Sequence, residues 1–332
     1  MNNAAPRRLR QLAGKVSTIF GLTVVLFYVA IALVAPWLAP SPADQNPAAP
    51  LVIGSSTDMV PHPPGAAARL GTLPGQIDIY HSLVWGTRTA LLFGLSVVVC
   101  AAVFGSLFGA AGAYWGGWAN QLVLRLTDTF LTVPLVAGVY FCKQFLNLIM
   151  RNAGAYFFMN GEVDTSAIPQ RLASILLGIN PILIGFILFS WMPYARLTNS
   201  LVLRLRRADF VQAAQALGAS PFFIVLRHLI PNAISPSITL AARDISMVVI
   251  LQATLQFIGL DIVSGWGQIL YLARSYLIAP GGDIFRYWWL FLPVTLALVL
   301  FSVAWNLLGD ALNDWLNPHR RTAEPWDNSA TG

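Results

Sequence analysis

The chain has 332 residues, of which 56% are hydrophobic and only 10% are charged, and its mean hydropathy is +0.64. Soluble domains carry about 25% charged residues, so this composition excludes an ordinary water-soluble protein and predicts a single domain whose surface mostly faces lipid. The formal net charge is +6, carried mostly by arginine without an aromatic-interleaved basic patch. We therefore expect the lipid bilayer as a partner and no nucleic acid.

The two cysteines, Cys100 and Cys142, both lie in apolar runs without CxxC or metal-ligand spacing. This pattern favours buried, inert thiols over a redox or metal site.

The first hydrophobic run covers residues 16–38 and follows a basic tail, residues 1–15. It is long enough for a helix that crosses about 30 Å of hydrocarbon. A signal peptide is the alternative, but its apolar core would have only about 7–15 residues. We expect an uncleaved first span preceded by a cytoplasmic tail.

Further hydrophobic runs predict five more spans, separated by polar or proline-rich stretches. Residues 40–85 are rich in proline and glycine and predict a long outer loop, and residues 146–172 predict a second one. Gly105 and Gly109, followed by Gly112, form a small-residue stripe that lets helices approach closely. The five runs lie at roughly 90–114, 122–145, 175–194, 234–260 and 287–308.

Six spans place both termini on the same side of the membrane. If that side is the cytoplasm, twelve of the twenty basic residues lie there or at its edge, as the positive-inside rule predicts. The outer loop at 146–172 and its flanks, with Lys143, Arg151 and Arg171, fit the rule less well. The predicted organisation is a membrane domain at 16–310, with a cytoplasmic segment at 196–231, and a cytoplasmic tail at 311–332.

The cytoplasmic segment contains a predicted short helix at 209–218. Asp209 is the expected N-cap, and Gln212 completes a capping-box pattern. Gly218 is placed to end the helix in a left-handed conformation. Ser220 and Pro221 then predict the start of a second helix, which Pro231 bends or ends.

One face of the first helix is expected to carry Phe210, Val211, Ala214 and Leu217 at helical spacing. Small side chains such as that of Ala213 project little from the helix, so the helix fits a groove of another protein. The alternative is an interfacial helix that merely links two spans, and the residues alone leave both interpretations open.

The segment also resembles a known motif. The spacing Ala213-Ala214-x-x-x-Gly218, followed by Arg227-His228-x-x-Pro231-Asn232, resembles the EAA cytoplasmic loop of ABC importer permeases, closest to the C-type permease of the dipeptide, oligopeptide and nickel family. Other matches to that family follow in chain order: Gly71-Thr72 with Asp78 and Gly86-x-Arg88, Ala113-Tyr114-x-Gly116-Gly117, Leu255-x-Phe257-x-Gly259-Leu260 with Trp266-Gly267, and Asn306-Leu307-Leu308-Gly309-Asp310-Ala311-Leu312.

The resemblance implies an all-α polytopic membrane protein with six transmembrane helices, like a type I ABC importer permease, in a bacterial or archaeal plasma (inner) membrane. It implies a non-catalytic subunit without a cofactor of its own, since partner ATPase subunits bind ATP and Mg²⁺. The other implied partners are a second homologous permease and an extracytoplasmic solute-binding protein. The implied cargo is di- or oligopeptides, with nickel complexes, sugars or other small solutes as alternatives.

The resemblance also implies which residues act. The ATPase-coupling residues are expected to be Asp209, Phe210, Gln212, Ala213, Ala214, Leu217, Gly218, Arg227, His228 and Pro231. Gln212 stands where the family has a glutamate, which removes any charge pairing with the ATPase. For the translocation path, Asp244 matches a family aspartate, and Gln252 replaces a family glutamate. Arg243 and Asp244 have an alternative role as a structural ion pair or a helix–helix hydrogen bond.

Two other classes of protein compete with this interpretation. A nucleotide site on this chain is not expected, because Gly14-Lys15 lacks the other residues of a P-loop. An intramembrane protease is the first competing class, but the sequence has no HExxH or GxSxG motif. A secondary transporter or channel that works without an ATPase is the stronger rival. It would be expected to show internal repeats and several buried ionisable residues, whereas the clear intramembrane charges here are few.

Overall fold

The computed structural model describes residues 4–42, 46, 49–152, 156–157, 163–164, 180–261, 265–279 and 282–316. This part of the chain is mostly α-helical, as predicted. Its helices are α1 (Ala4–Leu38), α2 (Ile79–Trp115), α3 (Gly117–Thr132), α4 (Leu135–Asn152), α5 (Pro181–Leu188), α6 (Met192–Leu205), α7 (Asp209–Ala216), α8 (Pro221–Ile224), α9 (Ile230–Ala233), α10 (Ser235–Phe257), α11 (Trp266–Leu277) and α12 (Leu292–Leu316).

The remaining elements are short. A π-helical turn at Val225–Leu229 joins α8 to α9, and a 3₁₀ turn at Trp288–Leu290 precedes α12. Strands β1 (Thr72–Leu73) and β2 (Ile77–Asp78) pair antiparallel, as do β3 (Tyr156–Phe157) and β4 (Val163–Asp164).

Five stretches of the described chain are long and apolar enough to cross a membrane as continuous candidates. They are Val16–Leu38, Ile79–Trp115, Pro181–Leu205, Ser235–Phe257 and Leu292–Leu316. A sixth candidate is the pair α3 and α4, which passes the same criteria only if its two helices form one span. This outcome agrees with a polytopic helical protein.

The sixth candidate differs from the straight span expected at 122–145, because the pair bends by 92°. The bend lies at Val133, which has an extended backbone (φ −83°, ψ 123°) and precedes Pro134. A residue before proline avoids the helical region, since the proline ring crowds its backbone. The helix therefore ends at Thr132 and restarts at Leu135.

Other helix boundaries also differ from the expected ones. Helix α2 begins at Ile79, inside the expected loop at 40–85, because the Asp78 carboxylate accepts a 3.0 Å hydrogen bond from the Tyr80 amide and caps the helix. Helix α6 continues to Leu205, and α12 continues to Leu316, so both run past the expected ends. Most of the outer loop at 146–172, the first residues of the span at 175–194 and most of the tail at 311–332 lie outside the described residues.

The expected small-residue stripe packs α2 directly against α6. A Cβ atom at Gly105 would lie 2.3 Å from the Trp191 carbonyl oxygen, and one at Gly109 would lie 2.2 Å from that of Ala195. The two backbones are therefore closer than any larger residue allows. The Asn199 side chain on α6 also donates a 3.0 Å hydrogen bond to the Gly109 carbonyl.

The largest core lies between α1, α2, α10, α11 and α12. Tyr28, Trp266 and Phe301 meet edge to face there, with ring centroids 5.3–5.9 Å apart. We call the end of the bundle that holds the start of α2 the loop end. The opposite end of α2 lies with residues 206–233, and we call it the segment end.

Candidate functional site

The candidate site is the segment of residues 206–233, which lies between the candidate spans that end at α6 and begin at α10. Its first helix, α7, does not begin as expected. Ala208 is the N-cap, with φ −71° and ψ 149°, and no side chain caps the helix. Asp209 lies in the first turn, where a carboxylate still interacts favourably with the helix N-terminus. Gln212 donates a 3.0 Å hydrogen bond to the Arg207 carbonyl, so the expected capping box is wrong.

The end of α7 is as predicted. Gly218 has φ +79°, the left-handed conformation that glycine adopts without a steric penalty. The following amide, that of Ala219, donates a 3.0 Å hydrogen bond to the Ala214 carbonyl and closes the turn. A Cβ atom at Gly218 would meet nothing within 4 Å, so the backbone conformation rather than a close neighbour requires glycine here.

The second helix also starts as predicted, since the Ser220 hydroxyl accepts a 3.3 Å hydrogen bond from the Phe223 amide and Pro221 is the first helical residue. Pro231 does not end it. Proline lacks an amide hydrogen and its ring crowds the carbonyl of the preceding turn. That turn widens instead, with the Ile230 amide bonded to the Val225 carbonyl, and the helix continues to Ala233.

The segment is fixed to the bundle by a buried apolar face. Val211, Ile224 and Leu229 are fully buried. They form one cluster with Ala113 of α2 and Val202 of α6. Ala214 packs partly buried against this cluster, so it belongs to the anchoring face.

Polar contacts tie the same segment to the end of α2. The Arg206 guanidinium donates a 2.8 Å hydrogen bond to the Ala113 carbonyl, one of the last carbonyls of α2. The Gln215 amide contacts the Tyr114 hydroxyl at 3.4 Å. A cation at a helix C-terminus is favourable because the unpaired carbonyls there carry partial negative charge. Arg206 was not singled out from the sequence, because its partner lies 93 residues away.

The segment also exposes large apolar side chains. Leu217 is 88% exposed and Phe222 is 71% exposed, and Phe210 and Phe223 are also exposed. The His228 ring lies 6.4 Å from the Phe210 ring and 5.5 Å from the Phe223 ring, which makes these three one surface. We call Phe210, Leu217, Phe222 and Phe223 the exposed apolar face. Apolar patches of this kind mark interaction sites in proteins.

The ten expected coupling residues therefore separate into two groups. Ala214 and His228 are half-buried, and the former serves to anchor the segment. Leu217 was expected on the same face as Val211, but the helix ends at Ala216, so its side chain no longer follows the helical period. The exposed members are Asp209, Phe210, Gln212, Ala213, Leu217, Gly218, Arg227 and Pro231.

Hydrogen bonds also join the two spans that flank the segment. The Tyr194 hydroxyl on α6 donates a 2.7 Å hydrogen bond to the Asp244 carboxylate on α10. Closer to the segment end, the hydroxyls of Thr198 and Ser237 lie 3.2 Å apart. Both pairs are contacts between α6 and α10, so the chain enters and leaves the segment through two helices that are fixed to each other.

Arg243 and Asp244 do not pair with each other. Arg243 forms an ion pair with Asp310 on α12, whereas Asp244 bonds to Tyr194. A second interhelical ion pair joins Arg196 on α6 to Asp128 on α3. These contacts agree with the structural role considered for Arg243 and Asp244.

The third expected residue of the translocation path lies apart from the other two. Gln252 is eight residues beyond Asp244, which along a helix corresponds to about 12 Å. Its side chain is only 9% exposed and lines a narrow cleft between α10 and α2. A path role for these three residues remains a prediction.

Comparison with known proteins shows that two parts of the chain match family models. Residues 101–322 match the family model described as the binding-protein-dependent transport system inner membrane component. Residues 8–52 match the N-terminal transmembrane domain of oligopeptide transport permease C. The two matches together cover α1 and every helix from the middle of α2 onward.

The relatives are similar over nearly their whole length. A di/tripeptide transport system permease protein of Pseudomonas aeruginosa is 29% identical over 313 residues, 91% of this chain and 88% of that protein. A probable D,D-dipeptide transport system permease protein of Escherichia coli K12 is 28% identical over 310 residues, 92% of this chain and 89% of that protein. A glutathione transport system permease protein of Pectobacterium atrosepticum is 28% identical over 316 residues, 94% of this chain and 89% of that protein.

The relatives are named as transport system permease proteins, and the matched family is described as an inner membrane component. The matched regions hold helices long and apolar enough to span a membrane. The chain therefore belongs to the family of binding-protein-dependent transport system inner membrane components, as a permease subunit of an ABC peptide importer.

Proposed function

We propose that this chain forms half of the translocation path of an ATP-driven importer of di- or oligopeptides. Its partners in this proposal are a second, homologous permease, two ATPase subunits that bind ATP and Mg²⁺, and an extracytoplasmic solute-binding protein. The family description, which names a binding-protein-dependent transport system, supports the last of these partners.

The observation that carries the proposal is the two-sided construction of residues 206–233. One side is anchored on α2 and α6 through Val211, Ile224 and Leu229. The other presents the exposed apolar face, with Leu217 and Phe222 as its most exposed members. A surface that is rigidly held, apolar and adjacent to charged groups such as Arg227 is suited to bind another protein. We assign this surface to the ATPase.

The anchoring also provides a path for mechanical coupling. The segment is bonded to the end of α2 through Arg206 and lies between α6 and α10, which Tyr194 and Asp244 join. A displacement of α7 by the ATPase is therefore transmitted to three spans together rather than absorbed within a flexible loop. ATP-driven closure of the ATPases would rock these spans between outward- and inward-open states.

Peptide cargo is proposed from the relatives, whose names specify D,D-dipeptides, di/tripeptides and glutathione. Nickel complexes and other small solutes are the alternatives. The rival mechanism is a secondary transporter or channel that works without an ATPase.

An uptake experiment separates these mechanisms. The complete complex is reconstituted in proteoliposomes with its binding protein, and uptake of radiolabelled dialanine is measured with ATP inside, with a non-hydrolysable ATP analogue, and with an imposed ion gradient alone. We expect uptake only with ATP. Uptake driven by the ion gradient without ATP would contradict the proposal and favour the rival.

A further inference from the structure

A narrow polar cleft lies at the loop end of the bundle, between α2, α10 and the start of α11. It consists of two adjoining cavities that share Thr89 and Gly265 in their linings. Gln252 and Gln256 line one cavity, and Gln268 lines the other. Each cavity has a volume of about 10 Å³, the room of a single water molecule. We call the space bounded by these five residues the amide cleft.

Two of the three glutamines present unused hydrogen-bonding groups to the cleft. Within the described part of the chain, the side-chain amides of Gln252 and Gln268 have no hydrogen-bond partner, although Gln252 is more than nine-tenths buried. Gln256 differs, because its side-chain oxygen accepts a 3.1 Å hydrogen bond from the Gly267 amide. An unpaired amide in a membrane-spanning helix is unfavourable, so the cleft must offer Gln252 water or a ligand.

The lining of the cleft selects the chemistry of that ligand. Among the residues that the structure describes, those that line the two cavities include no Asp, Glu, Lys, Arg or His. A glutamine amide offers two N–H donors and one carbonyl acceptor without charge, which complements the N–H and the carbonyl of a peptide group. The cleft therefore suits an uncharged peptide group better than a charged peptide terminus.

We propose that Gln252 and Gln268 form a subsite that hydrogen-bonds a backbone peptide group of the cargo, an inference that rests on the function proposed above. The cleft is closed at Trp266, whose indole N–H donates a 3.0 Å hydrogen bond to the Leu83 carbonyl and whose ring packs on Gly86. Since each cavity has room for only one water molecule, entry of cargo requires the start of α11 to move away from α2. The peptide group then takes the hydrogen bonds that water would make in the closed cleft.

The test compares two probes in the reconstituted complex, each delivered by the same saturated binding protein. One probe is dialanine and the other is dialanine with an N-methylated peptide bond, which lacks the N–H donor. In Gln252→Leu and in Gln268→Leu we expect the KM for the dialanine-loaded binding protein to rise by about threefold to tenfold, the value of one hydrogen bond. We also expect the preference for dialanine over the N-methylated probe to fall by a similar factor.

Thr254→Val is the matched control, because Thr254 is exposed on another face of α10 and, within the part of the chain that the structure describes, its hydroxyl bonds only to the Ile250 carbonyl of its own helix. The amount of copurified ATPase verifies assembly, and the partly exposed Gln268 decides the question if Gln252→Leu fails to assemble. An unchanged KM and unchanged probe preference in an assembled variant overturn the subsite, and leave water as the ligand of the cleft. Failure of the unmodified complex to import dialanine with ATP overturns the proposed function instead, so the two outcomes are distinguishable.

Discussion

The hydroxyl of Tyr194 donates a 2.7 Å hydrogen bond to the carboxylate of Asp244 between helices α6 and α10. Tyr194 is fully buried, and the two helices flank residues 206–233 on both sides in the sequence. The bond therefore joins the two helices between which the segment that we assign to ATPase docking lies. The first prediction concerns this bond.

Tyr194→Phe removes the donor and leaves the half-buried carboxylate of Asp244 without this bond. A hydrogen bond to a charged group contributes about 1.5–3 kcal/mol, so we expect a lower melting temperature of the purified permease in detergent. Asp244→Asn keeps an acceptor oxygen for Tyr194 and is expected to destabilise less. Tyr140→Phe is the control, because among the described residues the Tyr140 hydroxyl bonds only to the exposed Gln144 side chain.

Uptake by the Asp244→Asn complex then separates a structural role of Asp244 from a role in the path. Normal assembly together with reduced transport would support the path. If both assembly and transport are unchanged, Asp244 has no role in the path.

The second prediction concerns Gly218, whose φ of +79° ends α7. A β-branched residue in this conformation is strained by about 1–3 kcal/mol, so Gly218→Val should weaken ATPase binding or uncouple hydrolysis from transport while membrane insertion stays intact. Gly218→Asn is the matched variant, since asparagine tolerates the left-handed region, and it should retain most of the coupling. The readouts are copurified ATPase per permease and cargo-stimulated ATP hydrolysis. Equal coupling in both variants and the unmodified protein would mean that the end of α7 is not constrained in the assembly.

The third prediction concerns the contact between α2 and α6. Gly109→Val places side-chain atoms where a Cβ alone would lie 2.2 Å from the Ala195 carbonyl, so the helices must separate. Overpacking of this kind costs about 1–3 kcal/mol or more. We expect reduced thermal stability and loss of the bond from Asn199 to the Gly109 carbonyl. Gly65→Ala is the control, because its added Cβ has only a 3.9 Å contact with the Pro63 carbonyl. Equal melting temperatures for the two variants would contradict the packing.

The fourth prediction concerns topology. Single cysteines at positions 8, 58 and 320 are introduced into a chain without Cys100 and Cys142, and intact cells are treated with a membrane-impermeant thiol reagent. Asp58 lies in the loop between α1 and α2 and should be labelled from outside, whereas Arg8 and Arg320 should be protected as cytoplasmic residues. Arg320 lies outside the described residues, so this measurement is independent of the structure. Labelling at position 320 from outside would overturn the six-span topology.

Local features of the segment could be predicted from the sequence, because each depends on neighbouring residues. Gly218 and Ser220 ended and started their helices as expected. The cap at Asp209 was wrong because Ala208 adopts the extended cap conformation one residue earlier. The hydrophobic run at 122–145 predicted one straight span, so the 92° bend before Pro134 was missed.

Long-range contacts could not be predicted in this way. Arg206 reaches the end of α2 across 93 residues, and Tyr194 reaches Asp244 across 50. A single sequence contains no periodicity that links such positions. The unpartnered amide of Gln252 was equally hidden, because the sequence marked the residue without indicating which helix it faces.

The central claim is that the exposed apolar face is the ATPase-docking surface. Leu217→Asp and Phe222→Asp place a charge on that face without touching the buried cluster of Val211, Ile224 and Leu229. Phe285→Asp is the matched control, because Phe285 is 91% exposed and lies near the loop end, in the stretch before Trp289, whose ring packs on Gly71.

The most direct measurement is the amount of ATPase that copurifies with each variant, together with cargo-stimulated ATP hydrolysis in proteoliposomes. Loss of a central apolar contact at an interface costs about 2 kcal/mol or more, which is roughly a 30-fold loss of affinity. We predict such a loss for Leu217→Asp and Phe222→Asp and full retention for Phe285→Asp. Full binding and full coupling in both segment variants would contradict the account and reduce residues 206–233 to a linker between two spans.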